Sequence, residues 1–180
     1  MITKEEFKNV CEKSIEMIEQ AGIYLTDDDK KNMTAADFGL NNINKEGVQI
    51  LTLFDTNRMA AKILVLLPYQ TEPEHWHPPV GDDPGKEEVI RGVWGDLNFY
   101  IPGEDTLKKG FLVQGKEEHY KMRHEVVIKP GDQLVLPPGT KHWFQAGARG
   151  AVMYSFSTKV TDLMDKFTDP NVVRDTIIEK

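Results

Sequence analysis

From residue 48 to residue 156 the chain is a succession of short apolar or alternating runs, cut by glycine and proline and with no helical periodicity between them. That spacing restricts the fold to a mainly β architecture, an antiparallel sandwich or barrel. The runs span 48–54, 59–67, 89–94, 97–101, 125–128, 133–136 and 151–156. Turn-forming stretches separate them, among them Pro78-Pro79, Asp83-Pro84-Gly85, Gly95-Asp96, Pro130-Gly131-Asp132 and Pro137-Pro138-Gly139.

The flanks read differently. Thr3 followed by Glu6 forms the signature of a capping box, and Phe7, Val10, Cys11, Ile15 and Ile18 recur at helical spacing. They predict a helix to about Gln20. A second helical stretch is expected from about Asp27, with Thr26 as its N-cap, to Phe38. Both should pack outside the sheet. In the charged tail, short helices are expected near Leu163 and over 172–178. The reading is one domain over 1–180, with a helical N-terminal extension at 1–45, a β-barrel at 48–158 and a tail at 161–180.

The 180 residues, 39% hydrophobic and 28% charged, suffice for one packed core. No apolar run reaches the roughly 20 residues of a membrane span. A formal charge of −7 without a basic cluster excludes nucleic acid as the expected partner and leaves a small ligand. The single cysteine, Cys11, cannot close an internal disulfide, and its place in the apolar stripe predicts packing. The charged N-terminus lacks the pattern of a secretory signal, so the cytoplasm is the expected compartment.

The chemistry concentrates at His75-Trp76-His77, Glu88 and His142. In extended chain, residues two apart project from one face, so His75 and His77 can converge on a point. Neighbouring strands could add Glu88 and His142. Three imidazole nitrogens with one carboxylate suit a divalent transition metal, Mn, Fe, Co, Ni or Zn, over Ca or Mg.

Two spacings carry a resemblance. Gly131, Pro137, Gly139 and His142 resemble the second motif of the cupin superfamily, and His75-x-His77 with Glu88 and Gly95 resembles the first. The resemblance implies a cupin (RmlC-like jelly-roll) β-barrel with His75, His77, Glu88 and His142 as metal ligands. The ten residues between His77 and Glu88 exceed the superfamily's usual interval, and Ala146 stands where the second motif often ends in Asn. Glu87 is therefore an alternative ligand. Glu88 is favoured because it keeps the six-residue interval to Gly95.

More specific wording extends from Ala60 to Asp169. Pro73-Glu74-His75-Trp76-His77-Pro78, Pro84-Gly85-Lys86-Glu87-Glu88, Lys141-His142-Trp143-Phe144-Gln145-Ala146-Gly147 and Phe167-Thr168-Asp169-Pro170 resemble the bacterial D-lyxose isomerase family of cupins. That resemblance implies interconversion of D-lyxose with D-xylulose, and often of D-mannose with D-fructose, Mn²⁺ as activator and a homodimer.

An aldose–ketose conversion moves a proton between C1 and C2 through an enediol, which calls for a Lewis acid and a proton carrier. Lys62, the one charged side chain in the run 59–67, is the expected catalytic partner, and family members carry a functional lysine at a similar distance before the histidine pair. Lys86 beside Glu88 is a second candidate. The base is open: Glu74 should point away from the histidines, Asp82 or Asp83 could fold over the site, and Tyr154-Ser155-Phe156 supplies no acid where relatives carry one. Trp76 and Trp143, on the opposite phase from the ligands, should face out of the barrel, where a dimer contact could cover them. His119 and His124 have no partner at ligand spacing. An Fe(II) dioxygenase and a non-catalytic sugar-binding cupin remain alternatives.

Overall fold

A computed structural model describes residues 1–159 and 162–179. Val160, Thr161 and Lys180, the latter two the ends of the expected tail, lie outside the described residues. The elements are α1 (Lys4–Gln20), α2 (Asp27–Lys31), β1 (Thr34–Ala36), β2 (Val48–Asp55), β3 (Met59–Leu66), β4 (Thr71–Trp76), β5 (Glu88–Ile101), β6 (His124–Ile128), β7 (Gln133–Leu136), β8 (His142–Thr158) and β9 (Lys166–Phe167). All pairings between these strands are antiparallel, in the order β1-β2-β3-β8-β4-β9, with β5 against β6, β7 and β8.

Two long strands curl this sheet into the cupin-type barrel. β8 pairs with β4 through its first residues and with β3 through its last, while β5 runs beside it and divides its other edge between β6 and β7. Register shifts fall at Gly92/Trp94 and Gly95/Leu97, where β5 bends. Gly95 has φ +85°, and a Cβ there would lie 2.1 Å from the Gly150 carbonyl oxygen. Only glycine permits so close an approach of the two backbones. The Gly95-Asp96 turn expected between two strands is therefore a bulge inside one.

Alternation divides the side chains. On β3, Leu64 and Leu66 point into the barrel with Ile90, Phe99, Phe144 and Met153, while Ile63 and Val65 face outward under α1 with Leu51 and Val152. Val10, Cys11 and Ile18 of α1 fill that outer layer, so Cys11 packs as expected. The capping box forms: Thr3 N–H donates to Glu6 Oε2 at 2.8 Å, and Thr3 Oγ1 accepts from Glu6 N–H at 3.0 Å.

Five further expectations differ. The second helix stops at Lys31, because Thr34–Ala36 finds the open edge of β2 and pairs with Val48–Ile50. β4, with its proline, was not expected as a strand, and β8 starts nine residues before the run at 151. Among its described residues the tail has a single 3₁₀ turn, Asp162–Met164, near Leu163 as expected, but 172–178 is not helical. Its backbone is used elsewhere: Val173 N–H donates to Phe38 O at 2.8 Å, and Ile2 N–H to Ile177 O at 3.0 Å. Finally, Trp143 faces out of the barrel but is fully buried beneath the chain's own crossing between β5 and β6. It stacks on Tyr100 with centroids 3.8 Å apart and donates from Nε1 to Met122 O at 2.6 Å, which removes it from any dimer contact. No helix among the described residues is long and apolar enough to cross a membrane.

Removing a fully buried indole leaves a large cavity. Trp143→Ala is expected to lose about 3–5 kcal/mol in urea unfolding, whereas Tyr24→Ala, at a position 89% exposed, should change stability by less than about 0.5 kcal/mol.

Candidate metal centre and active site

His75 and His142 are directly opposed across the β4–β8 ladder, and His77 follows β4 by one residue. All three are buried, and each places one ring nitrogen within 4.8 Å of the others'. Each ring is fixed from behind through Nδ1, by Pro73 O at 2.9 Å for His75, Thr140 O at 2.8 Å for His142 and Asp165 Oδ1 at 2.7 Å for His77. A carbonyl or carboxylate oxygen can only accept, so Nδ1 carries a proton in each ring, and Nε2 of His75 and His142 presents a lone pair, whereas His77 Nε2 faces the Glu88 carboxylate at 3.2 Å. His142 Nε2 is buried without a hydrogen-bond partner.

Electrostatics point the same way. Burial, reinforced by the neighbouring imidazoles, lowers His75 well below the ordinary histidine range and His142 to about 4. Two neutral imidazoles result. For His77 burial also opposes charge, but Asp165 and Glu88 outweigh it and raise the pKa. Nε2 lone pairs of His75 and His142 turned toward one buried point, with His77 Nε2 beside them against Glu88 and every ring anchored through Nδ1, fit a divalent transition-metal ion that would take the place of the His77 Nε2 proton.

Glu88 opens β5 inside the barrel, buried, with Oε2 3.2 Å from His77 Nε2 and Oε1 accepting from the Ser155 hydroxyl. Burial would raise its pKa, but Lys86 and the histidines hold it well below the carboxylate range. Glu87, the alternative, is exposed. The long loop between His77 and Glu88 forms a tight turn in which Asp83 Oδ1 accepts from Gly85 N–H at 2.9 Å. Asp82 and Asp83 are both exposed on it and stand away from the histidines.

Other carboxylates occupy the place expected of them. Asp162 accepts from Lys62 Nζ and, at 3.0 Å, from Lys86 Nζ, with Arg174 at 3.7 Å. Burial would raise its pKa, but Lys86 and Lys62 hold the carboxyl well below the usual range. Lys86 is buried and raised above the usual lysine range, because Glu88 and Asp162 outweigh the cost of its burial. Both lysines singled out in the sequence thus meet at one carboxylate beside the histidines.

Glu72 is the residue that alternation conceals. Between Glu72 and His75 β4 has three steps while its partner β8, from Phe144 to His142, has two. The extra residue is a bulge, which puts Glu72 and His75 on the same, inner face. Glu74 consequently points outward, where it accepts from the backbone N–H of Lys121 and Met122 at 2.6 and 2.7 Å and from the Thr168 hydroxyl. Burial pushes the Glu72 carboxyl up to about 8, against the pull of Arg174. Glu72, His75, Lys86 and Glu88 line an inner cavity of about 30 Å³. Ile50, Lys62, Asp162 and Arg174 line both it and an open outer chamber of about 530 Å³. His119 and His124 lie in or at the end of the crossing from β5 to β6 and do not join the cluster.

The anchoring of His77 generates a prediction. Removing such a partner typically weakens metal binding 10–100-fold. In chelator competition Asp165→Asn is expected to lose about tenfold or more in Mn²⁺ affinity, while Asp82→Asn on the exposed turn loses none.

No family model matches the chain. It is 45% identical over 175 residues to the D-lyxose ketol-isomerase of Cohnella laeviribosi, covering 97% of this chain and 96% of that protein. It is 42% identical over 180 residues to the D-lyxose/D-mannose isomerase of Thermosediminibacter oceani, covering 99% of each. In fold it is similar to the L-ribose isomerases of Cellulomonas parahominis (TM-score 0.81, 14% identity) and Geodermatophilus obscurus (TM-score 0.80, 12% identity), each comparison covering 99% of this chain and 98% of the other. With identities of 42–45% over nearly its whole length, the chain belongs to the D-lyxose ketol-isomerase family and is an isomerase.

Proposed function

We propose that the chain is a metal-dependent aldose–ketose isomerase acting on D-lyxose and D-xylulose and also on D-mannose and D-fructose, with Mn²⁺ as its ion and a homodimer as its assembly. The observation that carries the reading is the set of three Nδ1-anchored histidines facing a common point, one Nε2 buried and unpartnered, next to a chamber lined by Lys62. The names of the relatives supply the sugars. Glu88, beside His77, completes a set of three nitrogens and one carboxylate with His75, His77 and His142.

A divalent ion held there would supply Lewis acidity toward adjacent oxygens of an open-chain sugar. The inner cavity is about the size of one water molecule. The sugar is therefore received in the outer chamber, with its C1–C2 end toward the histidines. Lys62 reaches the wall shared by the two cavities, where its ammonium can donate to a sugar oxygen and move a proton between O1 and O2. Lys86, buried and paired with Asp162, holds positive charge where the enediolate develops negative charge.

Mn²⁺-loaded protein is expected to form D-xylulose from D-lyxose and D-fructose from D-mannose, with and without oxygen. Absence of both products from freshly loaded protein contradicts the reading. Lys62→Ala should retain its metal and lose about 10²–10⁴-fold in kcat; unchanged kcat removes Lys62 from the chemistry.

A further inference from the structure

Four carboxylates among the described residues line the inner cavity, and three of them are engaged. Glu88 accepts from Ser155 and adjoins His77, Asp165 holds His77 Nδ1, and Asp162 is shared by Lys62 and Lys86. Glu72 is different. It is buried on the inner face, Oε2 has no hydrogen-bond partner, and its other oxygen is 3.9 Å from His75 Nε2, beyond hydrogen-bond reach. A buried acceptor left without a partner is costly, and a native fold that keeps one commonly does so for a bound group. The bulge in β4 is what aims it there: in regular alternation Glu72 would share the outward face with Glu74. Glu72 lines the inner cavity together with His75 and with Lys62 and Arg174 of the wall shared with the outer chamber, toward which a sugar received in that chamber turns its C1–C2 end.

We infer that Glu72 is the catalytic residue that carries the proton between C1 and C2, an inference that rests on the isomerase reading above. In the aldose direction the Glu72 carboxylate takes the proton from C2. The electron pair of the C2–H bond forms the C1=C2 double bond, and the carbonyl π pair moves to O1, which receives a proton from Lys62. The O2 hydroxyl then returns a proton to Lys62 as its electrons form the C2=O bond, and the C1=C2 pair takes at C1 a proton from the Glu72 carboxyl, which exchanges with solvent during the lifetime of the enediol. Charge and hydrogen count are conserved, and no oxidant or reductant is needed.

The test compares the Mn²⁺-loaded parent with Glu72→Gln in D₂O, reading four quantities: manganese per chain, binding of the unreactive polyol D-arabinitol, turnover of D-lyxose, and deuterium placed at C1 of the D-xylulose formed. The parent is expected to incorporate deuterium. Glu72→Gln should keep manganese and polyol binding while turnover and deuterium incorporation fall together by about 10²–10⁴-fold. Turnover within a few-fold of the parent overturns the inference, as does loss of manganese in step with activity, which would make Glu72 a ligand. A parent that turns over with no deuterium at C1 also overturns it. A parent with no turnover removes the isomerase reading and this inference with it, so the two failures are distinct. If Glu72→Gln does not fold, Glu72→Asp, whose carboxylate is withdrawn by one methylene, should keep manganese and lose about 10²-fold in turnover; parent-like turnover overturns the inference.

Discussion

Each histidine of the cluster is held by an oxygen at Nδ1, and the remaining features of the site follow from that constraint. Because Pro73 O, Thr140 O and Asp165 can only accept, the protons are kept at the back of the rings and three Nε2 atoms face one another. The lone pairs of His75 and His142 so arranged repel unless a cation lies between them. The backbone supplies two of the three anchors from residues two positions before the histidine in sequence, so the orientation is built into the local chain path of β4 and of the turn before β8. Only His77 depends on a distant side chain, and this makes Asp165, from the tail, part of the geometry.

The inner chamber also illustrates how buried charge is tolerated. Lys86 and Glu88 are both buried, as are the imidazoles, and unpaired charges at that depth would be strongly destabilising. Asp162 answers Lys62 and Lys86 together, and Glu88 is met by Ser155, His77 and Lys86. Beside that network Glu72 Oε2, like His142 Nε2, is buried without a hydrogen-bond partner. The polar contents of the barrel mouth grade into the apolar interior one step further along the same strands, from Lys62 to Leu64 on β3 and from Glu88 to Ile90 on β5.

Much of this was legible in the sequence. Period-two alternation and Gly/Pro punctuation identify the barrel, and the spacing around Gly131, Pro137, Gly139 and His142 identifies the histidine site, because both are local properties of the chain. What escaped depends on contacts between distant segments. The strand at Thr34–Ala36 exists only because β2 offers it an edge. Glu72 was hidden because a bulge reverses the alternation that correctly sends Glu74 outward; Pro73 inside the strand was the available signal. Asp162 and Asp165 reach the centre from the tail, Asp165 lying 88 residues beyond His77, and no spacing rule connects them. The expectation that Asp82 or Asp83 would close over the site failed because the turn at 80–85 satisfies its own hydrogen bonds at the surface.

The central claim is that His75, His77 and His142, through Nε2, and Glu88 hold a single divalent ion. Anomalous diffraction from crystals grown with Mn²⁺ tests it directly. One manganese peak per chain is expected inside the barrel, within bonding distance of the three Nε2 atoms and one Glu88 oxygen. A peak bonded through any Nδ1, a peak at other residues, or no peak among the three imidazoles would contradict it.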